Sequence, residues 1–178
     1  MRGVLFVPML IALVVVGCGD DGDDGKRTPY GSAEEVWDYR RQIDAIVDEV
    51  NAVQDEGERT AVGSAGRATG ENLAAAYSRL KPRMLAVLEE VEEIEPPKAL
   101  VDLHGDIREL ILLRLGAYDQ VIEGWRVEQE NSFVEAEPLY DEAEDKLEEA
   151  SLLAVAINGE LEQVDVALAE VGGYGPVA

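Results

Sequence analysis

From residue 32 onward, apolar residues recur at alternating spacings of three and four, which is the pattern of one helix face. Turn-forming residues interrupt this pattern three times. No segment of useful length alternates apolar and polar residues with a period of two, so the pattern predicts no strands. The predicted helices cover about residues 32–56, 71–95, 97–130 and 133–171.

Local signals define the ends of these helices. Ser32 followed by Glu35 is a capping-box pattern, in which both side chains hydrogen-bond backbone amides at a helix start. Gly57 predicts the end of the first helix, and residues 57–70, with four glycines, predict a loop. Gly172 predicts the end of the fourth helix and begins a short tail, residues 172–178.

Prolines modify this prediction at three places. Pro82 lies inside the second helix, where the missing backbone donor predicts a bend. Pro96 ends that helix because the residue before a proline avoids the helical region, and Pro97 suits the first position of the third helix. Pro138 is compatible with the fourth helix only near its start.

Four amphipathic helices joined mostly by tight connections predict an all-α fold, an antiparallel up-down-up-down four-helix bundle. At about 1.5 Å per residue the bundle would be on the order of 40 Å long. Alanines on the inner face of the fourth helix predict a close approach by a neighbouring helix. The alternative is two helical hairpins that need a partner to complete a core.

The first 18 residues follow a different pattern. Arg2 precedes an uninterrupted apolar run of 13 residues, 4–16. That length suits the apolar part of a signal peptide and falls short of the roughly 20 residues of a membrane-spanning helix. The run leads into the sequence VVGC at 15–18, and Cys18 is the one cysteine of the chain. A single cysteine excludes an intramolecular disulfide and a cysteine-based metal cluster.

The VVGC sequence resembles the lipobox of bacterial lipoproteins, in which aliphatic and small residues precede a cysteine at the end of the signal peptide. The resemblance implies a signal peptide of residues 1–17, cleavage between Gly17 and Cys18, and a lipid attached to the Cys18 thiol. The protein would then be anchored to a membrane on its extracytoplasmic side, in the bacterial cell envelope. The alternative is an ordinary secretory signal with a small buried cysteine nearby.

Residues 18–31 are rich in glycine and acid, with Asp20, Asp21, Asp23 and Asp24 grouped together. Because glycine-rich charged chains extend, we interpret this segment as a flexible tether between the lipid and the bundle. A calcium loop is the alternative, since clustered carboxylates suit a hard cation. The full pattern of such a loop, with its closing glutamate and flanking helices, is absent from the sequence.

The net charge of the chain is −23, from 15 basic and 38 acidic residues. A field of this sign repels phosphate groups, so we expect no nucleic-acid partner. The negative charge attracts basic proteins and cations. A halophilic source of the protein would also explain the acidity. We interpret the acidic runs at 89–95 and 141–149 as solvated helix faces, with Glu142 and Lys146 able to pair, and weak cation binding is the alternative.

The sequence offers little catalytic chemistry. His104 is the single histidine, which excludes a di-iron centre built from Glu-x-x-His pairs. We interpret His104 as a residue at the edge of the core, with a metal or ligand role as the alternative. An enzyme would need inward-facing acids or arginines, and the apolar faces contain almost none. We therefore expect no enzyme activity, no catalytic residues, no cofactor and no metal site.

Aromatic residues are predicted to gather at the end of the bundle farthest from the tether. Tyr77, Trp125 and Tyr140, with Phe133 close by, would meet there beneath the 57–70 loop. They are interpreted as caps of the core, and a protein-contact patch or ligand pocket is the alternative.

Together these features predict a lipid-anchored, extracytoplasmic helical-bundle protein with a structural or protein-interaction role in the cell envelope. The alternative is a protein that binds a small ligand or cation, using the bundle interior or the aromatic end.

Overall fold

A computed structural model describes residues 26–61 and 69–172 of the protein. Four long helices pack against one another as a four-helix bundle, which confirms the predicted all-α class. The helices are α1 (Ala33–Ala61), α2 (Gly70–Glu93), α3 (Val101–Glu130) and α4 (Phe133–Val171). A small hairpin of β1 (Arg27–Thr28) and β2 (Gly31–Ser32) precedes α1, and a 3₁₀ turn (Lys98–Leu100) precedes α3.

Neighbouring helices run antiparallel. Lys81 of α2 pairs with Asp119 of α3, whereas Arg108 pairs with Glu92, so residue numbers rise along α3 as they fall along α2. Successive helices are in contact, and the α3–α4 contact is the most extensive. Among adjacent helices, α1 and α4 have the least extensive contact. The up-down-up-down arrangement therefore has a tight side, between α3 and α4, and a sparse side, between α1 and α4.

The core follows the centre of the bundle along its length. Its buried residues lie at the spacings of three and four that predicted the helices, because those spacings place side chains on one helix face. They include Val36, Tyr39, Ile43 and Val53 of α1; Leu80, Met84, Val87 and Val91 of α2; Leu103, Ile107, Ile111 and Tyr118 of α3; and Ile157, Leu161, Val164 and Leu168 of α4.

Small residues bring α3 and α4 close together. A Cβ atom placed on Gly124 would lie 2.9 Å from Cε1 of Tyr140, and one on Gly116 would lie 3.2 Å from Cδ of Lys146. Ala143 and Ala150 are buried on the facing side of α4. The predicted close approach at the alanines of α4 is thus observed, and the two glycines of α3 are what permit it.

The first helix does not end at Gly57, as the sequence predicted, but continues to Ala61. Gly57 is buried, and a Cβ atom there would lie 3.3 Å from Cδ1 of Leu80. This glycine serves helix packing, so its lack of a side chain does not mark a break. The second helix begins at Gly70, where the Thr69 hydroxyl accepts a 3.2 Å hydrogen bond from the Asn72 amide.

Residues 26–31 belong to the folded structure, so the predicted tether of residues 18–31 is too long at its C-terminal end. The hairpin also corrects the prediction of no strands, since two-residue strands are too short to show a period. The Lys26 carbonyl accepts a 2.8 Å hydrogen bond from Ala33, and the Lys26 ammonium donates to the carbonyl of Gly172. The hairpin therefore joins the start of α1 to the end of α4.

Other local predictions can be compared with the structure directly. The Ser32 hydroxyl accepts a 3.2 Å hydrogen bond from the amide of Glu35, which confirms the N-cap. Pro82 and Pro138 lie within continuous helices, Pro138 in the second turn of α4. Pro97 is buried and extended, at φ −52° and ψ 143°, and it precedes the 3₁₀ turn instead of starting α3.

The two acidic runs lie mainly on outer faces. In the 89–95 run every glutamate is exposed and Val91 is buried, as predicted. In the 141–149 run Ala143 is buried, while the Lys146 ammonium lies 3.2 Å from a carboxylate oxygen of Glu142, which confirms the predicted pair.

Gly124→Ala should destabilise the bundle by about 1–3 kcal/mol, because the added methyl group would overlap the ring of Tyr140. Gly159→Ala is the matched control, since a Cβ atom there meets nothing within 4 Å, and it should stabilise α4 by about 1 kcal/mol through helix propensity. Urea unfolding of the two variants measures both effects. Equal stabilisation by both substitutions would contradict the proposed role of Gly124.

Candidate functional site

The predicted lipid-attachment residue, Cys18, and the predicted cleavage site between Gly17 and Cys18 lie outside the described residues, as does the Asp/Gly run before Lys26. Within the two described ranges, no helix has an apolar stretch long enough to cross a membrane. Two regions of the bundle have features of a binding site. One is the end at the α3–α4 turn, and the other is a cavity in the interior.

At the α3–α4 turn, Trp125 and Tyr140 both lie against the first residue of α2. A Cβ atom on Gly70 would be 2.6 Å from the Tyr140 hydroxyl and 3.1 Å from Cε3 of Trp125. The rings of Phe133 and Tyr140 are stacked, with centroids 6.2 Å apart and planes 24° apart. The structure therefore places three of the four predicted aromatic residues at one end of the bundle.

The Tyr140 hydroxyl donates a 2.9 Å hydrogen bond to the carboxylate of Glu128. Partial burial, followed by this carboxylate, raises the pKa of Tyr140 to about 12. The phenol therefore stays protonated at neutral pH and keeps its hydrogen bond to α3. This bond crosses the turn and fixes the ring against Gly124 and Gly70.

Part of this end is apolar and exposed. The side chains of Phe133 and Val134 are 55% and 73% exposed, and Trp125 is half-buried beside them. We call Trp125, Phe133, Val134 and Tyr140 the tip patch. An open groove lined by Phe133, Tyr140 and Leu73 continues it toward α2.

Carboxylates surround the tip patch. Exposed Glu135, Glu137 and Asp141 follow it on α4, and Glu128 lies beside it on α3. Arg126 pairs with Glu123 and Glu130, at 2.5 Å and 2.7 Å, so its charge is offset within the same helix. The patch is thus an apolar surface with an acidic rim.

Tyr77, the remaining predicted aromatic residue, faces the bundle interior. Its ring stacks on that of Tyr118, with centroids 4.2 Å apart and planes 16° apart. Tyr77, Trp125 and Tyr140 all pack against one small buried cluster formed by Ala74, Ala117, Val121 and Ala143. The three aromatic residues therefore pack against the same cluster. Tyr77 also lines the interior cavity that is described next.

The interior cavity has a volume of about 240 Å³ and lies between α1, α2, α3 and α4. Its polar side chains come from all four helices. The lining residues are Gln54, Gly57, Tyr77, Arg114, Tyr118, Leu147 and Ser151. Arg114 and Tyr118 are buried, and Ser151 is exposed, so the cavity opens to solvent beside Ser151.

Arg114 was not expected at this position, since the apolar faces predicted almost no inward-facing arginine. Its side chain is 7% exposed, because it lies on the face of α3 that carries Ile111 and Tyr118. A long aliphatic stem lets an arginine pack among apolar residues while its guanidinium reaches a polar cavity. The spacing of Arg114, three residues after Ile111 and four before Tyr118, is the signal in the sequence.

A second buried arginine has a structural role. The Arg40 guanidinium pairs with Asp44 on its own helix and with Asp165 of α4, where Nη2 lies 3.0 Å from Oδ2. This pair bridges α1 and α4, the adjacent helices with the least extensive contact. Arg40 thus holds the sparse side of the bundle together, whereas Arg114 lines the cavity.

The protonation of Tyr118 suits it to hydrogen-bond donation in the cavity. Burial raises the pKa of its phenol to about 12, although the nearby charge of Arg114 acts in the opposite direction. The phenol is therefore neutral at physiological pH. The phenol and the Arg114 guanidinium both belong to the cavity wall.

His104 of α3 is half-buried beside Tyr39 of α1. Its Nδ1 atom lies 3.4 Å from the hydroxyl of Tyr39, and the two rings are tilted at a centroid distance of 6.0 Å. Burial lowers the pKa of His104, and a backbone hydrogen bond with Val91 opposes this effect. Among residues 26–61 and 69–172, no three His, Cys, Asp or Glu side chains are grouped as metal ligands would be.

The chain matches no protein-family model, and no curated protein or solved structure is significantly similar to it.

The lowered pKa of His104 predicts a pH dependence of stability. Below about pH 6.5, the ordinary pKa of histidine, the unfolded chain binds a proton that the folded protein resists. The contribution of His104 is therefore present above that pH and is lost as the pH falls. Urea unfolding at several pH values between about 5 and 8 measures this effect. As the pH falls, the free energy of unfolding should decrease less steeply in His104→Gln than in the wild type.

Gly159→Ala serves as the control for that series, because it changes no titratable group and should keep the wild-type pH dependence. Since the chain has one histidine, proton NMR also gives its pKa directly. A measured pKa above about 6.5 would contradict the prediction.

Proposed function

We propose that this protein is a lipid-anchored, extracytoplasmic helical bundle that contacts a basic protein of the cell envelope through the tip patch. The anchoring part of the proposal rests on the sequence, where an apolar run of signal-peptide length ends in VVGC at Cys18. Two or three acyl chains on and near that cysteine would hold the protein stably, at about 0.8 kcal/mol per buried methylene.

The position of the hairpin supports an outward-facing tip. Lys26 is bonded to Gly172 at the C-terminal end of α4, and Phe133 begins the same helix at its other end. At about 1.5 Å per residue, the 39 residues of α4 separate these ends by roughly 58 Å. Lys26 is eight positions after Cys18, a reach of at most about 27 Å when fully extended. The tether therefore enters at the end opposite the tip patch.

The observation that carries the interaction role is the exposure of Phe133 and Val134 inside an acidic rim. An exposed apolar patch rimmed by polar groups is characteristic of interaction sites. The net charge of −23 and the rim of glutamates favour a partner with basic residues around an apolar centre. The same charge opposes nucleic acid, and we propose a non-catalytic role.

Anchoring is tested with Cys18→Ala. The wild type should fractionate with membranes and incorporate labelled palmitate, whereas the variant should do neither, because the thiol that accepts the lipid is gone. Gly19→Ala is the matched control and should behave as the wild type. If Cys18→Ala is equally membrane-bound and equally processed, the lipobox interpretation is wrong.

Contact through the tip is tested by photo-crosslinking in intact cells. Benzoylphenylalanine at position 133 should give a discrete protein adduct whose yield falls as the salt concentration rises, because the acidic rim contributes to association. The same group at position 152 is the control, since Leu152 is an exposed apolar residue of α4 (68% exposed) outside the tip patch. Identical adducts at both positions, or none at position 133, would contradict the proposal.

A further inference from the structure

We propose that the open groove beside the tip patch is a docking site for an arginine side chain of a basic polypeptide. The arginine would belong to the basic partner proposed above, so this site rests on that proposed function and names the group that it recognises. The groove lies between the starts of α2 and α4 and the end of α3. We call it the tip groove, and its described lining includes Leu73, Glu128, Phe133, Glu137, Tyr140 and Asp141.

The tip groove has the size of a ligand site and charges of one sign. Its volume is about 480 Å³, within the range of about 300–1,000 Å³ that is typical of binding pockets. The described residues that line it include three carboxylates, Glu128, Glu137 and Asp141, and no cation. A cationic side chain is therefore its electrostatic complement, whereas a second copy of this chain would bring a further charge of −23 toward it.

Aromatic rings form the apolar part of the tip groove. The rings of Phe133 and Tyr140 are stacked, with centroids 6.2 Å apart and planes 24° apart. Phe133 is 55% exposed, so part of its ring is open to solvent beside the carboxylates. A cation that lies over an aromatic face, within about 6 Å of the ring centroid, is attracted by the negative charge of that face. A planar guanidinium can also stack on the ring.

The spacing along α4 places a ring and two carboxylates in one row. Phe133, Glu137 and Asp141 follow one another at intervals of four residues, which puts successive Cβ atoms about 5–6 Å apart. A guanidinium stacked on Phe133 can therefore donate N–H groups in its plane to the carboxylate of Glu137. The Tyr140 hydroxyl, 2.9 Å from the Glu128 carboxylate, holds a further acceptor at the groove. An ammonium group has neither the flat face nor the paired donors, so this geometry favours arginine over lysine.

The same arrangement occurs within the protein itself. The Cζ atom of Arg41 lies 5.0 Å from the centroid of the Trp37 ring, and its Nη2 atom lies 3.4 Å from a carboxylate oxygen of Asp38. One aromatic ring and one neighbouring carboxylate thus receive an exposed guanidinium on α1. The tip groove presents the same two kinds of group, and its described lining residues contribute no guanidinium of their own.

The test uses N-acetyl-arginine amide and N-acetyl-lysine amide, which carry one positive charge each, with the full-length protein in a non-ionic detergent. The arginine probe should bind saturably, with a Kd of about 10 mM or lower, and shift the amide resonances of Gly70, Leu73 and Phe133 in ¹H–¹⁵N spectra. Its Cδ protons should move upfield, because they would lie over an aromatic ring. The lysine probe should bind about two- to fivefold more weakly.

Substitutions at exposed positions separate stacking from charge. Phe133→Leu keeps an apolar side chain and should weaken arginine binding about two- to fivefold, whereas Phe133→Trp should retain it, because tryptophan is the best ring for a cation. Glu137→Gln should weaken binding about twofold or more and reduce its salt dependence. Glu144→Gln is the matched control, since it makes the same charge change at an exposed residue of α4 outside the described lining.

Equal binding of the arginine and lysine probes would overturn the proposal, as would wild-type affinity in Phe133→Leu. No saturable response to the arginine probe up to about 50 mM, or equal losses in Glu137→Gln and Glu144→Gln, would also overturn it. The crosslink at position 133 and these titrations fail separately. A discrete adduct without a preference for arginine refutes only the arginine site, and arginine binding without an adduct refutes only the contact with an envelope protein.

Discussion

The close packing of α3 on α4 is the constraint on which the rest of the bundle depends. Gly124 and Gly116 leave no side chain between the two helices, so the ring of Tyr140 and the stem of Lys146 lie directly on the α3 backbone. Because interiors are packed as densely as crystals, a methyl group at Gly124 would force the ring of Tyr140 to shift. This contact sets the position of α4, and with it the position of Tyr140 at the tip and of Ser151 at the mouth of the cavity.

Tight packing on one side of the bundle is accompanied by space on another. Among adjacent helices, α1 and α4 have the least extensive contact, and the charged pair of Arg40 and Asp165 bridges them. Within reach of that sparse side, Gln54 and Ser151 face the same cavity from the two helices. The cavity is therefore a consequence of how the bundle closes, and Arg114 is the charged residue among the described residues that line it.

The apolar spacing was enough to predict four helices, because a helix face must be buried somewhere, and the short connections favoured the antiparallel order. The sequence-based prediction was wrong where one residue type can serve two structural purposes. Gly57 was interpreted as a break because glycine usually ends helices, but here it permits contact with Leu80. Arg114 was overlooked because a charged residue is normally solvated, and only the fold shows a polar space within its reach. The hairpin was missed because two-residue strands have no period.

The hairpin has a mechanical consequence. Lys26 is bonded both to Ala33 at the start of α1 and to Gly172 at the end of α4. Tension along the preceding chain is therefore delivered to two helices at once. A chain joined to α1 alone would peel that helix from the bundle turn by turn. The two hydrogen bonds of Lys26 instead divide the load between the first and the last helix.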